Sequence, residues 1–260
     1  MPKNHKAEFI KIFNSLSHKH HKYEVFRDFC TMASISIHNA LVKKGEFRES
    51  LEKEFLLIEE KYSRDERDSF SILLVLLVEM LEPKPCDILG GLYMDLDLGN
   101  DNNGQYFTPP EISELMAMIT LGDSLDNLDD FITLSEPACG AGGMVLAFVD
   151  QMIKKNHNPQ NTMWVQCWDI DRNAALMCFL QLSLWNVPAE VIVGNTLSLE
   201  VREVFYTPAH YMGNWAYKLA CRSAKKLISA EPKLEADDLD KSKEHKPILI
   251  NNNSQFDFGF

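Results

Sequence analysis

Basic charge is what this sequence has least of. Lys and Arg total 26 against 38 Asp and Glu, giving a formal net charge of -12 and a pI near 5.1. The molecule as a whole therefore sets up no field that gathers nucleic acid or an anionic membrane, and any contact with DNA is expected to be local or borrowed from a partner. Long apolar runs are missing too. The longest, Phe70-Ser-Ile-Leu-Leu-Val-Leu-Leu-Val78, is too short to cross a bilayer, and the opening "MPKNHKAEFIKIF" holds no continuous apolar stretch of the signal-peptide kind. These absences predict a cytoplasmic protein with no membrane partner. No C-x-x-C pair occurs among Cys30, Cys86, Cys139, Cys167, Cys178 and Cys221, so they read as buried, reduced thiols rather than a disulfide or zinc framework. Glycine is almost absent from the first third, where Gly45 stands alone before Gly90. What is present, 45% hydrophobic and 25% charged residues, describes a globular chain of one large or two small domains.

The glycine-poor leader carries helical periodicity. Apolar positions recur at three- and four-residue spacing in Glu8–Leu16, Tyr23–Leu41, Phe47–Tyr62 and Asp65–Leu81. Pro83-Lys-Pro85 stops the last of these, and "LGNDNNGQ" at 98–105 is a polar, turn-forming connector. From Phe131 short apolar strands alternate with helices: 131–135 then 142–154, 163–168 then 173–185, and 191–193 followed by a loop. That alternation predicts a parallel sheet with crossover helices. After Lys225 the charged stretch "EPKLEADDLDKSKEHK" reads as a solvated tail, to which "PILINNNSQFDFGF" could add one short strand. The organisation expected is a helical domain over 1–97, an α/β domain over 98–225 and an acidic, flexible tail over 226–260.

The richest segment is "ITLSEPACGAGGMVLAFVDQM", 132–152. A strand ends in Glu136, then Pro137, Ala138 and a turn holding Gly140, Gly142 and Gly143, before an apolar helix. Glycines there let the backbone approach a ligand closely, and the open amides of the helix start offer donors. Such turns also hold pyrophosphates, but a carboxylate at the strand end would repel one and would instead pair with an α-ammonium. The next strand ends as "QCWDID", placing Asp169 and Asp171 where a carboxylate can accept ribose hydroxyls, and the third ends at Asn195 and Thr196. An amino-acid end, a ribose and an adenine would each meet one strand end, which fits S-adenosylmethionine better than a nicotinamide dinucleotide.

These residues resemble the N6-adenine DNA methyltransferases that include the modification subunits of type I restriction systems. The upstream Gln105, Tyr106, Phe107, Thr108 and Pro109 match the family's G-x-F/Y-F-T-P motif, which closes over the methionine part of the cofactor, and Pro110 starts a helix over 111–119. Glu136-Pro-Ala-Cys-Gly-Ala-Gly-Gly143 resembles D/E-P-A-C-G-x-G-G. Asp169 and Asp171 match the acidic ribose position, and Gly194-Asn195-Thr196-Leu197 resembles the G-D/N-T/S-L segment beside the adenine ring. The resemblance covers roughly residues 85–200. It implies a Rossmann-like methyltransferase fold behind an N-terminal helical domain, S-adenosylmethionine as cofactor, no metal, and DNA as substrate, in restriction–modification or in phage or plasmid DNA modification.

The chain also departs from that family. Methylating an exocyclic amine requires acceptors for N6 and an aromatic ring on the flipped base, which family members supply as N/D/S-P-P-Y/F after the fourth strand. Pro109-Pro110 is the one Pro-Pro pair here and belongs to the upstream motif. The candidates nearest in position are Thr207, Pro208, His210 and Tyr211, which keep a proline and an aromatic without the amide or carboxylate oxygen. Too few residues follow Asn195 for the rest of a complete methyltransferase sheet plus a target-recognition domain, so a truncated catalytic half is expected. Cys139 has no His in a known relation to it and reads as a packing residue. His18-Lys-His-His21 reads as solvent-facing. Two classes remain: an adenine-N6 DNA methyltransferase, or a catalytically degenerate cofactor fold acting as a regulatory or interaction subunit. In either, DNA is met through a local surface or a partner subunit, in a homo- or hetero-oligomer.

Overall fold

The computed structural model describes residues 4–98, 107–122 and 130–230. The four periodic segments of the leader are helices α1 (His5–Leu16), α2 (Lys22–Leu41), α3 (Glu46–Glu59) and α4 (Arg64–Leu81). The starts of α1 and α4 follow from side chains that satisfy open amides. The Asn4 side chain accepts from the Ala7 amide at 3.1 Å, and Ser63 and Glu66 form a reciprocal capping box at α4. A fifth helix, α5 (Ile88–Asp95), lies where the two prolines predict a stop. Gly90 and Gly91 mask it in the sequence, but the Asp87 carboxylate caps it through the Gly90 amide at 2.7 Å, and Leu89, Leu92 and Tyr93 are buried. The helix over 111–119 is α6 (Pro110–Leu121), with proline at its first position.

The α/β part follows as β1 (Ile132–Glu136), α7 (Gly143–Lys154), the single turn α8 (Pro159–Thr162), β2 (Met163–Asp169), α9 (Arg172–Leu184) and β3 (Ala189–Asn195). The three strands are parallel, and their order in the sheet is their order in the chain. Strands added in one direction through right-handed crossovers place both crossover helices on the same face. Val145, Leu146 and Val149 of α7 and Ala175, Leu176 and Phe179 of α9 accordingly share one core with Val165, Cys167, Val191 and Val193 of the strands. The alternate strand residues make a different row on the other face, with Gln166 Nε2 and the Tyr206 hydroxyl both donating to the Glu190 carboxylate, at 2.8 and 2.6 Å.

The segment expected to be a loop after β3 is instead a strand, β4 (Glu200–Tyr206), antiparallel to β3 with a register shift at Val193/Gly194. Its arginine and two glutamates hide it from a hydrophobic pattern, and pairing with β3 makes it a strand. Helices α10 (Pro208–Met212) and α11 (Trp215–Ala230) complete the described chain.

Contacts divide the chain into two units, Met1–Leu219 and Ala220–Phe260. Of the second, residues 220–230 are described, and they are helical. Inside the first unit the leader packs directly on the α/β part. Helix α9 is buried along nearly its whole length, with the sheet on one side and α2 on the other, and Ser34 Oγ of α2 donates to the Leu176 carbonyl at 3.3 Å. Arg172, at the start of α9, makes paired contacts to Glu54 of α3 and Glu203 of β4 between 2.7 and 3.0 Å.

Candidate functional site at the carboxyl edge of the sheet

A parallel sheet brings the carboxyl ends of its strands to one edge, the customary place for a ligand in an open α/β fold. Here β1 ends in Glu136, β2 in Asp169 and β3 in Asn195. The loop from Pro137 to Gly142 crosses in front of them. Two of its glycines have positive φ, 53° at Gly140 and 93° at Gly142, a backbone that side chains disfavour. The Cys139 amide donates to the Trp168 carbonyl at 2.8 Å, and the Gly142 amide to the Cys139 carbonyl at 2.8 Å.

Asp169 fixes this loop. One carboxylate oxygen accepts from the Gly140 amide and the other from the Asp171 amide, both at 2.8 Å. Burial raises its pKa, and those amide bonds pull against the rise. Asp171 accepts from the Ala174 amide at 2.9 Å and so caps α9. Glu136 is half-buried and accepts from the Ala138 amide at 3.2 Å. Among the described residues its second oxygen has no hydrogen-bond donor. Burial raises its pKa above the usual value, and the neighbouring Cys167 and Asp169 add to the rise. Thr196 Oγ1 donates to the Pro137 carbonyl at 2.6 Å, while the Asn195 side-chain oxygen accepts from the Leu197 and Ser198 amides. The strand ends are thus tied to one another through the loop between them.

Phe107 is placed over the loop. A methyl group at Gly140 would come within 3.3 Å of its ring, which rests edge-on against Tyr93 of α5 with centroids 5.4 Å apart. The leader therefore supplies one wall of the site. Tyr93 is pushed up to about 12 by burial, with Tyr23 and Asp171 adding to the rise. Thr108 and Pro109 are exposed before α6. Gln105 and Tyr106 lie outside the described residues.

The sequence reading missed the brace behind the loop. Gln181 of α9 is fully buried. Its amide nitrogen donates to the Ala141 carbonyl at 2.7 Å and to Asp87 at 2.9 Å, and its oxygen accepts from the Ile88 and Leu89 amides at 2.8 and 3.0 Å. One side chain joins the glycine loop to the start of α5. The legible signals are an Asp three residues before a glycine, and a lone amide inside the apolar run Met177–Trp185.

Thr207, Pro208, His210 and Tyr211 are not brought to this edge. Because β4 runs antiparallel, its start pairs with Asn195 and its end, Tyr206, pairs with Glu190 at the beginning of β3. The four residues that follow lie at the amino end of the parallel strands. There Thr207 Oγ1 accepts from the Ala189 amide and donates to the Val187 carbonyl, and His210 accepts from Trp164 Nε1 at 3.1 Å. They close the end of a hairpin.

The family model described as N-6 DNA Methylase matches residues 95–248. No curated protein matches the chain. A crystal structure from Listeria monocytogenes, assigned as a class I S-adenosylmethionine-dependent methyltransferase, aligns at 15% identity over 71% of this chain and 51% of its own, with a TM-score of 0.36. This chain thus spans about half the length of that one.

Proposed function

The chain belongs to the N-6 DNA methylase family, and from that premise we propose that it binds S-adenosylmethionine at the carboxyl edge of its sheet and serves the methylation of adenine N6 in DNA, in restriction–modification or a related modification system. One observation carries the reading: Glu136, a half-buried carboxylate with one oxygen lacking a donor among the described residues, stands beside a loop that Asp169 holds open. The edge fits the cofactor. An α-ammonium supplies the donor that Glu136 lacks, and the missing Cβ at Gly140 keeps the backbone accessible beneath Phe107. Phe107, Thr108 and Pro109, with Gln105 and Tyr106, would close over the amino-acid end. Pro137, Ala138 and Gly142 shape the loop. Asp169 and Asp171 keep free lone pairs for the ribose, and Asn195 and Thr196 flank the base.

When bound, the cofactor supplies an electrophilic methyl group on sulfonium. The chain's own part is positioning, holding that group and the acceptor amine in line.

A second reading has a specific observation behind it. Thr207, Pro208, His210 and Tyr211 lie at the far end of the sheet, so among the described residues none of these candidates meets the cofactor edge. This favours a cofactor-binding subunit that pairs with a partner carrying the adenine-handling groups.

Calorimetric titration of S-adenosylmethionine into the wild type and Glu136→Ala tests the first step. Loss of one charge-assisted hydrogen bond should weaken binding by about 1.5–3 kcal/mol, roughly ten- to a hundredfold. Equal affinities would overturn the pocket. Transfer of labelled methyl to unmethylated DNA, by the chain alone or only with a partner subunit, then separates the two readings.

A further inference from the structure

Three of the six cysteines converge behind the glycine loop. Cys139 comes from the loop, Cys167 from β2 and Cys178 from α9, and their sulfurs all lie within 4.8 Å of one another. Cys139 is 5% exposed, and Cys167 and Cys178 are fully buried. In the sequence they look scattered. The fold brings them together because β2 passes directly beneath the loop and α9 packs across both.

We propose that Cys139, Cys167 and Cys178 form a binding site for a soft, thiophilic d10 metal ion held by three sulfurs. Metal–sulfur bonds of about 2.3 Å set three sulfurs of a planar site about 4 Å apart, so closing around an ion needs movements of less than about 1 Å. Thiolate donors select soft ions over Mg²⁺ or Ca²⁺. Among the described residues no fourth His, Cys, Asp or Glu joins the group, which favours an ion content with three ligands over zinc, which takes four in structural sites.

Two features of the loop suit such a site. Gly142 leaves room for it, since a Cβ there would lie 3.1 Å from Cys178 Sγ. Gly142 is also the N-cap of α7 and has no side-chain cap, so the positive end of that helix lies beside the sulfurs. The three sulfurs already face one another. The neighbouring Cys139 and Cys167, and then burial, raise Cys178; Cys167, and then burial, raises Cys139; and Cys167 itself is lowered by its two neighbours. Binding a divalent ion by three thiolates displaces the protons that the sulfurs still hold, leaving the centre with a net charge of minus one that the helix end offsets in part. Cys139 belongs to the one element of the three that is a loop, so the ion enters by its opening, and occupancy pins the loop to β2 and α9.

The proposal rests on the sulfurs alone and stands or falls apart from the cofactor reading. The probe is Cd²⁺, titrated into the reduced full-length protein. Expected are one ion per chain, an ultraviolet thiolate-to-metal charge-transfer band, and proton release that makes affinity rise with pH. Cys139→Ser, Cys167→Ser and Cys178→Ser should each lose the band and bind at least about tenfold more weakly, a loss as large as that from removing an outer-sphere partner. Cys30→Ser, at a lone buried thiol in α2, should keep it. No binding, or a band that survives in all three variants, overturns the site. Should a variant fail to fold, ¹¹³Cd NMR of the wild type decides: a resonance in the trithiolate region supports the site, and one in the range of nitrogen and oxygen ligands overturns it.

Discussion

Glu136 serves two opposed requirements. As an acceptor for a cation it must be ionised, yet burial beside Asp169 favours its neutral form. A carboxyl whose folded pKa is raised contributes stability when protonated, fully present below its ordinary value and lost as pH rises through the raised one. At neutral pH the free protein therefore carries an uncompensated cost that a bound ammonium would relieve. Glu136→Gln should melt at or above the wild-type temperature at pH 7, and the difference should vanish as pH falls below the ordinary carboxyl value of 4.5. Thermal melts across that range check it, and a variant less stable than wild type at pH 7 would mean that the carboxylate already has a partner in the folded chain. The same substitution should weaken S-adenosylmethionine, so stability and binding would move in opposite directions at one residue.

Among the elements, α9 has the most partners. It caps itself with Asp171, reaches α3 and β4 through Arg172 and holds the glycine loop and α5 through Gln181. Gln181→Leu keeps the volume roughly constant but strips partners from two backbone amides, the Ala141 carbonyl and Asp87. At about 1–3 kcal/mol for each buried group left unsatisfied, the loss should be at least about 3 kcal/mol, measurable by urea denaturation. A loss under about 1 kcal/mol would show that the brace is dispensable. The helices and parallel strands were legible because their periodicities of 3.6 and 2 are written in apolar residues. Helix α5 was not, because its stability comes from an aspartate cap and from burial under its neighbours. Strand β4 was not, because Glu200, Arg202 and Glu203 break the pattern and only pairing with β3 makes them extended. Of the site, the three strand-end residues and the glycine loop could be read from spacing. The Gln181 brace and the sulfur cluster could not, since both join residues far apart in sequence. Thr207–Tyr211 follow β4, and the direction of that strand is a tertiary fact.

Over the whole molecule, an excess of acid means that DNA affinity cannot come from a general field. Fluorescence anisotropy with duplex DNA should therefore show binding by the isolated chain that is weak and falls steeply between about 50 and 200 mM salt, the mark of a few local phosphate contacts. Salt-independent binding, or none, would favour the second reading, a subunit that depends on a partner. The packing of α2 against α9 has another consequence, for biosynthesis. Ser34 and Leu176 are 142 positions apart, so at about 5–20 residues per second a ribosome takes roughly 7–30 s to deliver the partner of the face that α2 turns toward α9. The sheet forms between chain neighbours and can assemble as it emerges. Among the described elements the nascent helical leader waits long for its partner, with the apolar face of α2 uncovered until α9 has been made.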